Sequence, residues 1–296
     1  MGNFLSWLPT SRTCDCPPGK LNCLSKLEMG LLGSTVLHVN RRHRWEEKHP
    51  ARFIPDLPER YIRLFSHAGE TVLDPFSGSG TTSIVAKTLG RNSVGLDVNP
   101  RSVEMARRRL ANGEAHGPAG TRHEVLLGDS RKLVSQIPRG AVDIIVTSPP
   151  YYDVVDYDHD SPDQLGNYHD YATFLEGMTR VFDACSRALK PGGFMIVNTQ
   201  DIYKKTLSGA IHVDYIERCR EIGFDLRNIN IYILNYSTGG RLVWGYPKSY
   251  YPKNDHEFNL IFKKPGEEFV APVARSQPAA AARAARAPHK RRTRTV

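Results

Sequence analysis

Through residue 48 the apolar positions follow neither the helical period of 3.6 nor the strand period of 2, and turn formers are frequent. "HPARFIPDLPERYIRLFS" (49–66) breaks that disorder: Leu57, Tyr61, Leu64 and Phe65 recur at helical spacing, with Asp56 and Glu59 as a cap pair. Short apolar runs then alternate with longer amphipathic ones. "ETVLD" (70–74) predicts a buried strand, followed by a Gly-rich turn and the helix "TSIVAKTLG", which Gly90 can end. "NSVGLD" (92–97) predicts a second strand, and "NPRSVEMARRRLANG" a helix capped by Asn99 with Pro100 in its first turn. "HEVLLGD" and "VDIIVT" predict two more strands. Phe174, Met178, Val181, Cys185 and Leu189 mark one side of a helix over about 170–189, stopped by "KPGG". A strand "GFMIVNT", a helix "IHVDYIERCREIG" and the strands "FDLRNINIYIL" and "EFNLIFKK" complete the pattern. Strands alternating with helices imply an α/β fold: a Rossmann-like, mostly parallel, seven-stranded sheet with helices on both faces. In such sheets ligands bind at the carboxyl ends of the strands.

Composition adds boundaries to this pattern. A chain of 296 residues with 40% hydrophobic content can bury one large core or two small ones. We expect an N-terminal extension over 1–48, a catalytic domain over 49–264 and a tail over 265–296. The tail carries seven Lys and Arg against Glu267 and Glu268 in an Ala/Pro-rich setting, so it should be disordered and grip phosphates. No apolar run is long enough for a membrane span, and no secretory signal is evident, which together imply a cytoplasmic protein. Five cysteines, an odd number, suit a reducing compartment. Cys14, Cys16 and Cys23 cluster in "CDCPPGKLNC", and His38 or His43 could add a fourth ligand, but the spacing matches no common zinc pattern. Free thiols are the favoured reading and no metal is assigned.

Candidate chemistry sits at the strand ends. In "LDPFSGSGTT" Gly78 and Gly80 let the backbone pass close to a nucleotide-like molecule, and Asp97 ends the next strand, where it could accept from both ribose hydroxyls. The dinucleotide fingerprint wants a third glycine where this chain has Ser83, and a Walker loop wants a lysine that "GSGTT" lacks. A cofactor without phosphates fits better. Asp129 and Ser130 in "LLGDS" could accept from an adenine amino group. At the end of the fourth strand, "TSPPYY" offers a rigid acceptor pair: the Ser148 hydroxyl and the Pro149 carbonyl, held by Pro149 and Pro150, with Tyr151 able to stack on a base.

Together, "DPFSGSGTT", "GLDVNP", "GDS" and "TSPPYY" resemble the successive motifs of the S-adenosylmethionine-dependent DNA amino-methyltransferases, over about residues 49–264. The resemblance implies that Phe53, Asp74, Phe76, Gly78, Gly80 and Thr81 line S-adenosylmethionine, with Asp97 on the ribose and Asp129 and Ser130 at the adenine. It implies that Ser148, Pro149, Pro150 and Tyr151 act on an exocyclic amino group of a base flipped out of double-stranded DNA. Carbon-5 methylation needs a cysteine, usually after a proline, and no Pro-Cys pair occurs. Serine before Pro-Pro-Tyr is similar to the cytosine-N4 enzymes, and aspartate there is commoner in the adenine-N6 ones. An RNA or tRNA base methyltransferase and an inactive nucleic-acid-binding relative are the other readings. "HEFNLIFKK" matches the family's late strand, whereas Tyr232 and Leu234 stand in place of a Trp-x-Lys pair. A short target-recognition loop over about 235–257 would bring Arg241, Trp244, Lys248 and Lys253 to the DNA, together with Tyr152. A cognate restriction endonuclease is a further partner that the resemblance allows.

Overall fold

A computed structural model describes residues 5–39, 53–112, 116–152, 163–204, 207–234 and 255–266. The strands in chain order are β1 (Val36–Val39), β2 (Thr71–Asp74), β3 (Asn92–Asp97), β4 (His123–Leu127), β5 (Val142–Thr147), β6 (Leu189–Thr199), β7 (Ile202–Lys204), β8 (Leu207–Gly209), β9 (Asp225–Leu234) and β10 (His256–Lys263). The helices are α1 (Lys26–Leu32), α2 (Asp56–Phe65), α3 (Thr81–Thr88), α4 (Pro100–Ala111), α5 (Tyr171–Ala188) and α6 (Ile211–Ile222), with 3-10 turns at Ser130–Ser135 and Leu165–Asn167. One sheet runs β1-β9-β10-β6-β5-β2-β3-β4, and β7 and β8 pair separately. The central pairings are parallel, and β10 lies antiparallel between β6 and β9.

β2 and β5 are buried along nearly their whole length because helices cover both faces, which is why they read as continuous apolar runs rather than alternating ones. On one face Phe174, Met178 and Val181 of α5 pack with Leu73, Ile145 and Met195. On the other, Leu57, Tyr61 and Ile62 of α2 and Val85 and Ala86 of α3 meet Val72, Ile144 and Ile196.

Three expectations change. The sheet has eight strands among the described residues, because β1, from the aperiodic N-terminal segment, adds to β9 as the edge strand. Four residues on a sheet edge need no apolar alternation, so no period announced it. Asp56 is not the cap of α2; Pro55 holds that position, without a side-chain hydrogen bond, and Asp56 lies in the first turn. "KPGG" does not stop the chain after α5 but lies inside β6, where Gly192 takes φ +79° and the register to β5 shifts. Asn99 caps α4 as expected, accepting from the N–H of Arg101 at 2.9 Å.

The N-terminal segment is part of this body. Leu8 joins the main core, Trp7 donates to Glu124 at 2.7 Å, and Thr13 N–H bonds the Ala68 carbonyl at 2.9 Å. No helix among the described residues is long and apolar enough to cross a membrane.

Candidate active site

The carboxyl ends of β2, β3, β5 and β6 surround a cavity of about 340 Å³, within the usual range for a small-molecule site. Each wall follows from the local fold. Asp74 ends β2 in the core; its carboxylate accepts from Phe76 N–H at 3.1 Å, Thr82 Oγ1 at 2.6 Å and Thr147 Oγ1 at 2.7 Å. It therefore ties the glycine loop, α3 and the end of β5 to one point. Full burial pushes its pKa up to about 6, against the pull of those hydrogen bonds. Gly78, at φ +49°, donates its N–H to Asp97 at 2.8 Å, which seats the loop over the end of β3. Gly80, at φ +82°, starts α3, and a Cβ there would stand 2.7 Å from the Cβ of Ala106.

On the opposite wall Ser148 follows β5. Its hydroxyl donates to Asn198 Oδ1 at 3.2 Å, and Asn198 Nδ2 donates to Glu257 Oε2 at 3.0 Å. Tyr151 donates its phenol proton to the other Glu257 oxygen at 3.4 Å. The polarity of this chain is fixed from its far end: an ionised carboxylate only accepts, so Asn198 must turn its NH₂ to Glu257 and its oxygen to Ser148. Ser148 then spends its proton on Asn198, and its oxygen is left as an acceptor toward the cavity.

Of the residues expected at the cofactor, Phe53, Asp74, Phe76, Gly78, Thr81, Asp97 and Ser130 line the cavity, and all of Ser148, Pro149, Pro150 and Tyr151 do. Gly80 is not on the wall; it serves the packing of α3 on α4. Asp129 is not on the wall either. Its carboxylate caps the 3-10 turn after β4 through Arg131 N–H at 2.9 Å and pairs with the Arg131 guanidinium at 2.9 Å. Its side chain is thus engaged in a cap and an ion pair. Tyr152 is corrected more sharply: it is buried, donates to the His169 carbonyl at 2.6 Å and packs edge-on against Tyr171 with ring centroids 5.2 Å apart. It is a core residue. Arg241, Trp244, Lys248 and Lys253 lie outside the described residues, as does the tail from residue 267. Tyr232 is buried in the α2 face of the core.

Asn198 and Glu257 were not singled out from the sequence as site residues. The available signal was polarity where apolar residues are expected: Asn198 breaks the apolar run in "MIVNT", and Glu257 opens "EFNLIF". The register that sets Asn259 opposite Asn198 brings the two together.

The family model of the DNA methylases matches residues 28–108 and 142–294, and the chain belongs to that family. The family is S-adenosylmethionine-dependent. Among curated relatives, the type II methyltransferase M.BglI of Bacillus subtilis is 31% identical over 140 residues, 45% of this chain and 38% of that protein. The type II methyltransferase M2.DpnII of Streptococcus pneumoniae is 45% identical over 67 residues, 23% of this chain and 25% of its own length. The matches thus span well under half of these relatives. A SAM-dependent methyltransferase structure from Methanosarcina mazei superposes with a TM-score of 0.50 at 13% identity, covering 70% of this chain and 98% of that one, which shows the shared fold.

Proposed function

We propose that this protein methylates the exocyclic N4 of cytosine in double-stranded DNA, taking the methyl group from S-adenosylmethionine by direct in-line transfer to a flipped-out base. One observation carries the reading: Ser148, Pro149, Pro150 and Tyr151 wall the same cavity as Asp74, Gly78 and Asp97. The donor set suits the cofactor. Three carboxylates, Asp74, Asp97 and Glu257, and apolar surface from Phe53, Ile54 and Phe76 match a cationic molecule with an aromatic base, and Arg101 is the cationic side chain on that wall among the described residues. Bound there, the cofactor supplies an electrophilic methyl carbon. Asp97 and the glycine-loop backbone would hold its nucleoside, and Asp74 its cationic end.

The chain's own contribution to chemistry is to prepare the amine. An exocyclic nitrogen is a weak nucleophile while its lone pair is delocalised into the ring. Two acceptors beside its hydrogens favour a more tetrahedral nitrogen, and the Ser148 oxygen with the Pro149 carbonyl would be that pair. Prolines at 149 and 150 hold the acceptors before the base arrives, so little reorganisation is needed. Tyr151, tied to Glu257, would stack on the base. A neutral hydroxyl at 148 supports cytosine over adenine by the family pattern. The kinship with type II methyltransferases supports a restriction-modification setting with a cognate endonuclease. The basic residues beyond Lys264 would add a salt-sensitive hold on the phosphate backbone.

The test is to incubate the protein and labelled S-adenosylmethionine with unmodified plasmid DNA or bulk tRNA and identify the modified nucleosides by mass spectrometry. N4-methylcytosine in DNA is the expected product. N6-methyladenine would reassign the base, and label confined to RNA would overturn the substrate.

A further inference from the structure

Away from the cavity, three cysteines of the N-terminal segment meet one histidine of the catalytic body. Donor atoms from Cys14, Cys16, Cys23 and His67 all lie within 4.8 Å of one another, at the amino end of β2, the opposite end of that strand from Asp74. We propose that these four residues bind one structural zinc ion, which staples residues 14–23 to the turn between α2 and β2.

The spacing fits. With Zn–S near 2.3 Å and Zn–N near 2.0–2.1 Å, tetrahedral donors sit about 3.5–3.8 Å apart. Cys14 Sγ and Cys23 Sγ lie 3.3 and 3.5 Å from His67 Nδ1. The imidazole is already in the ligating tautomer. Its Nε2 is 2.8 Å from the Lys20 carbonyl, which can only accept, so the proton sits on Nε2 and the Nδ1 lone pair faces the sulfurs. His67 is fully buried, and its backbone N–H is held by Glu70 at 2.7 Å.

The sequence builds the sulfur side with the same economy. Pro17, Pro18, Gly19 and Lys20 close a turn, Lys20 N–H to Pro17 carbonyl at 3.2 Å with Gly19 at φ +79°, as a proline and glycine in the central positions favour. That turn returns the chain so that Cys23 faces Cys14 and Cys16, and it presents the Lys20 carbonyl to His67. Buried Asn22 then fixes the loop on α2 through the Leu64 carbonyl at 2.6 Å. All three thiols are free of disulfides.

Charge is compatible with the site. Three thiolates around a divalent ion leave one net negative charge. Arg91 is buried beside this end of the sheet, hydrogen-bonds uncharged acceptors at Ser66 and Leu89, and lies in the field of Cys23, Glu70 and Cys14. A zinc–thiolate centre would add to the negative charge that Glu70 already presents to that guanidinium. Four protein ligands leave no open position, so the site is structural rather than catalytic. On this proposal the cysteines are ligands rather than free thiols, and the fourth ligand is neither His38, which is exposed, nor His43, which lies outside the described residues.

The full-length protein, purified under reducing conditions without chelator, should carry about one zinc per chain by elemental analysis. Cobalt exchanged into it should give the thiolate charge-transfer and d–d absorption of a tetrahedral site. A mercurial titration should release the zinc in step with thiol modification. Cys14→Ser and Cys23→Ser should each lose the ion and lower the unfolding temperature by roughly 10 °C. If those variants fail to fold, the wild-type metal content, cobalt spectrum and mercurial release still decide. Metal-free wild type whose thiols label freely and whose unfolding temperature ignores added zinc would overturn the proposal. So would zinc retained by the Cys14→Ser/Cys23→Ser double variant, or an iron–sulfur spectrum instead of zinc.

Discussion

At the carboxyl ends of β2, β5 and β6 the polar side chains surround a cavity; at the amino ends of β2 and β5 they face one another. Asp143 accepts from the Thr71 N–H at 2.9 Å and pairs with Lys190 at 2.5 Å, while Glu70 holds Arg12 and the His67 backbone, each at 2.7 Å. Thr10 and Thr71 share a hydroxyl bond of 2.7 Å. These contacts fasten the N-terminal segment, neighbouring strands and the turn between α2 and β2. At the other end Ser148 keeps an acceptor face toward the cavity, and Asp74 gathers three elements around it. On the proposed function, one sheet would separate assembly from chemistry along the direction of its strands, and substitutions at the two ends should fail in different ways.

The largest effect expected at the cavity end is that of Ser148→Ala. Losing one preorganised acceptor should slow turnover by about 100- to 1,000-fold. The cofactor dissociation constant and the unfolding temperature should stay near wild type, because Ser148 supports neither. Single-turnover kinetics beside cofactor titration makes the comparison, and an equal loss in both would remove Ser148 from the chemistry. Gly69→Ala is the counterpart at the amino end. Gly69 takes φ +81°, and a Cβ there would stand 2.6 Å from Thr13 Cγ2 and 2.7 Å from the Ser11 carbonyl oxygen. Rigid backbone on that side leaves no room to give, so denaturant melts should show a loss of about 3 kcal/mol. Turnover of the folded fraction should be unchanged.

Those two positions also show what the sequence could and could not disclose. Ser148, Asp74 and Gly78 were legible because each belongs to a short contiguous motif whose residues act on one another locally. Tyr151 and Tyr152 were not separable. Adjacent residues after a strand face opposite ways, so one tyrosine lines the cavity and the other enters the core. Asp129 shows that an acid at a strand end can serve as a helix cap, which the sequence does not distinguish from a ligand. Asn198 and Glu257, 59 positions apart, meet only through the antiparallel register of β10 on β6. His67 likewise lies 44 positions beyond Cys23, in a turn that no metal-binding spacing would single out.

Asp74 offers a milder test that uses pH rather than a lost contact. Burial raises its folded pKa to about 6 from an ordinary value of 3.8. The folded state therefore holds the Asp74 proton more tightly than the unfolded chain does. Its unfavourable contribution, about 3 kcal/mol, is fully present above pH 6 and is relieved as pH falls from about 6 to about 4. Asp74→Asn has no such proton. The difference in unfolding free energy between wild type and Asp74→Asn should shift in favour of wild type as pH drops through that window. A difference that stays flat would mean the carboxylate is not buried as a charge.

The smallest effect, and the most selective, belongs to Glu257→Gln. A carboxylate can only accept, which is what turns the Asn198 oxygen toward Ser148 and the Ser148 lone pairs toward the cavity. Glutamine can accept or donate. Asn198 is then free to flip and present its NH₂ to Ser148, which turns the Ser148 proton outward, where it opposes the incoming amine. Since only part of the population need adopt that arrangement, turnover should fall about 10-fold, with the cofactor dissociation constant unchanged. The same substitution made in the Ser148→Ala background should do almost nothing, because no hydroxyl remains for Asn198 to orient. Additive losses in that double-mutant cycle would mean Glu257 acts through Tyr151 or the strand itself, and the polarity relay from β10 to Ser148 would have to be abandoned.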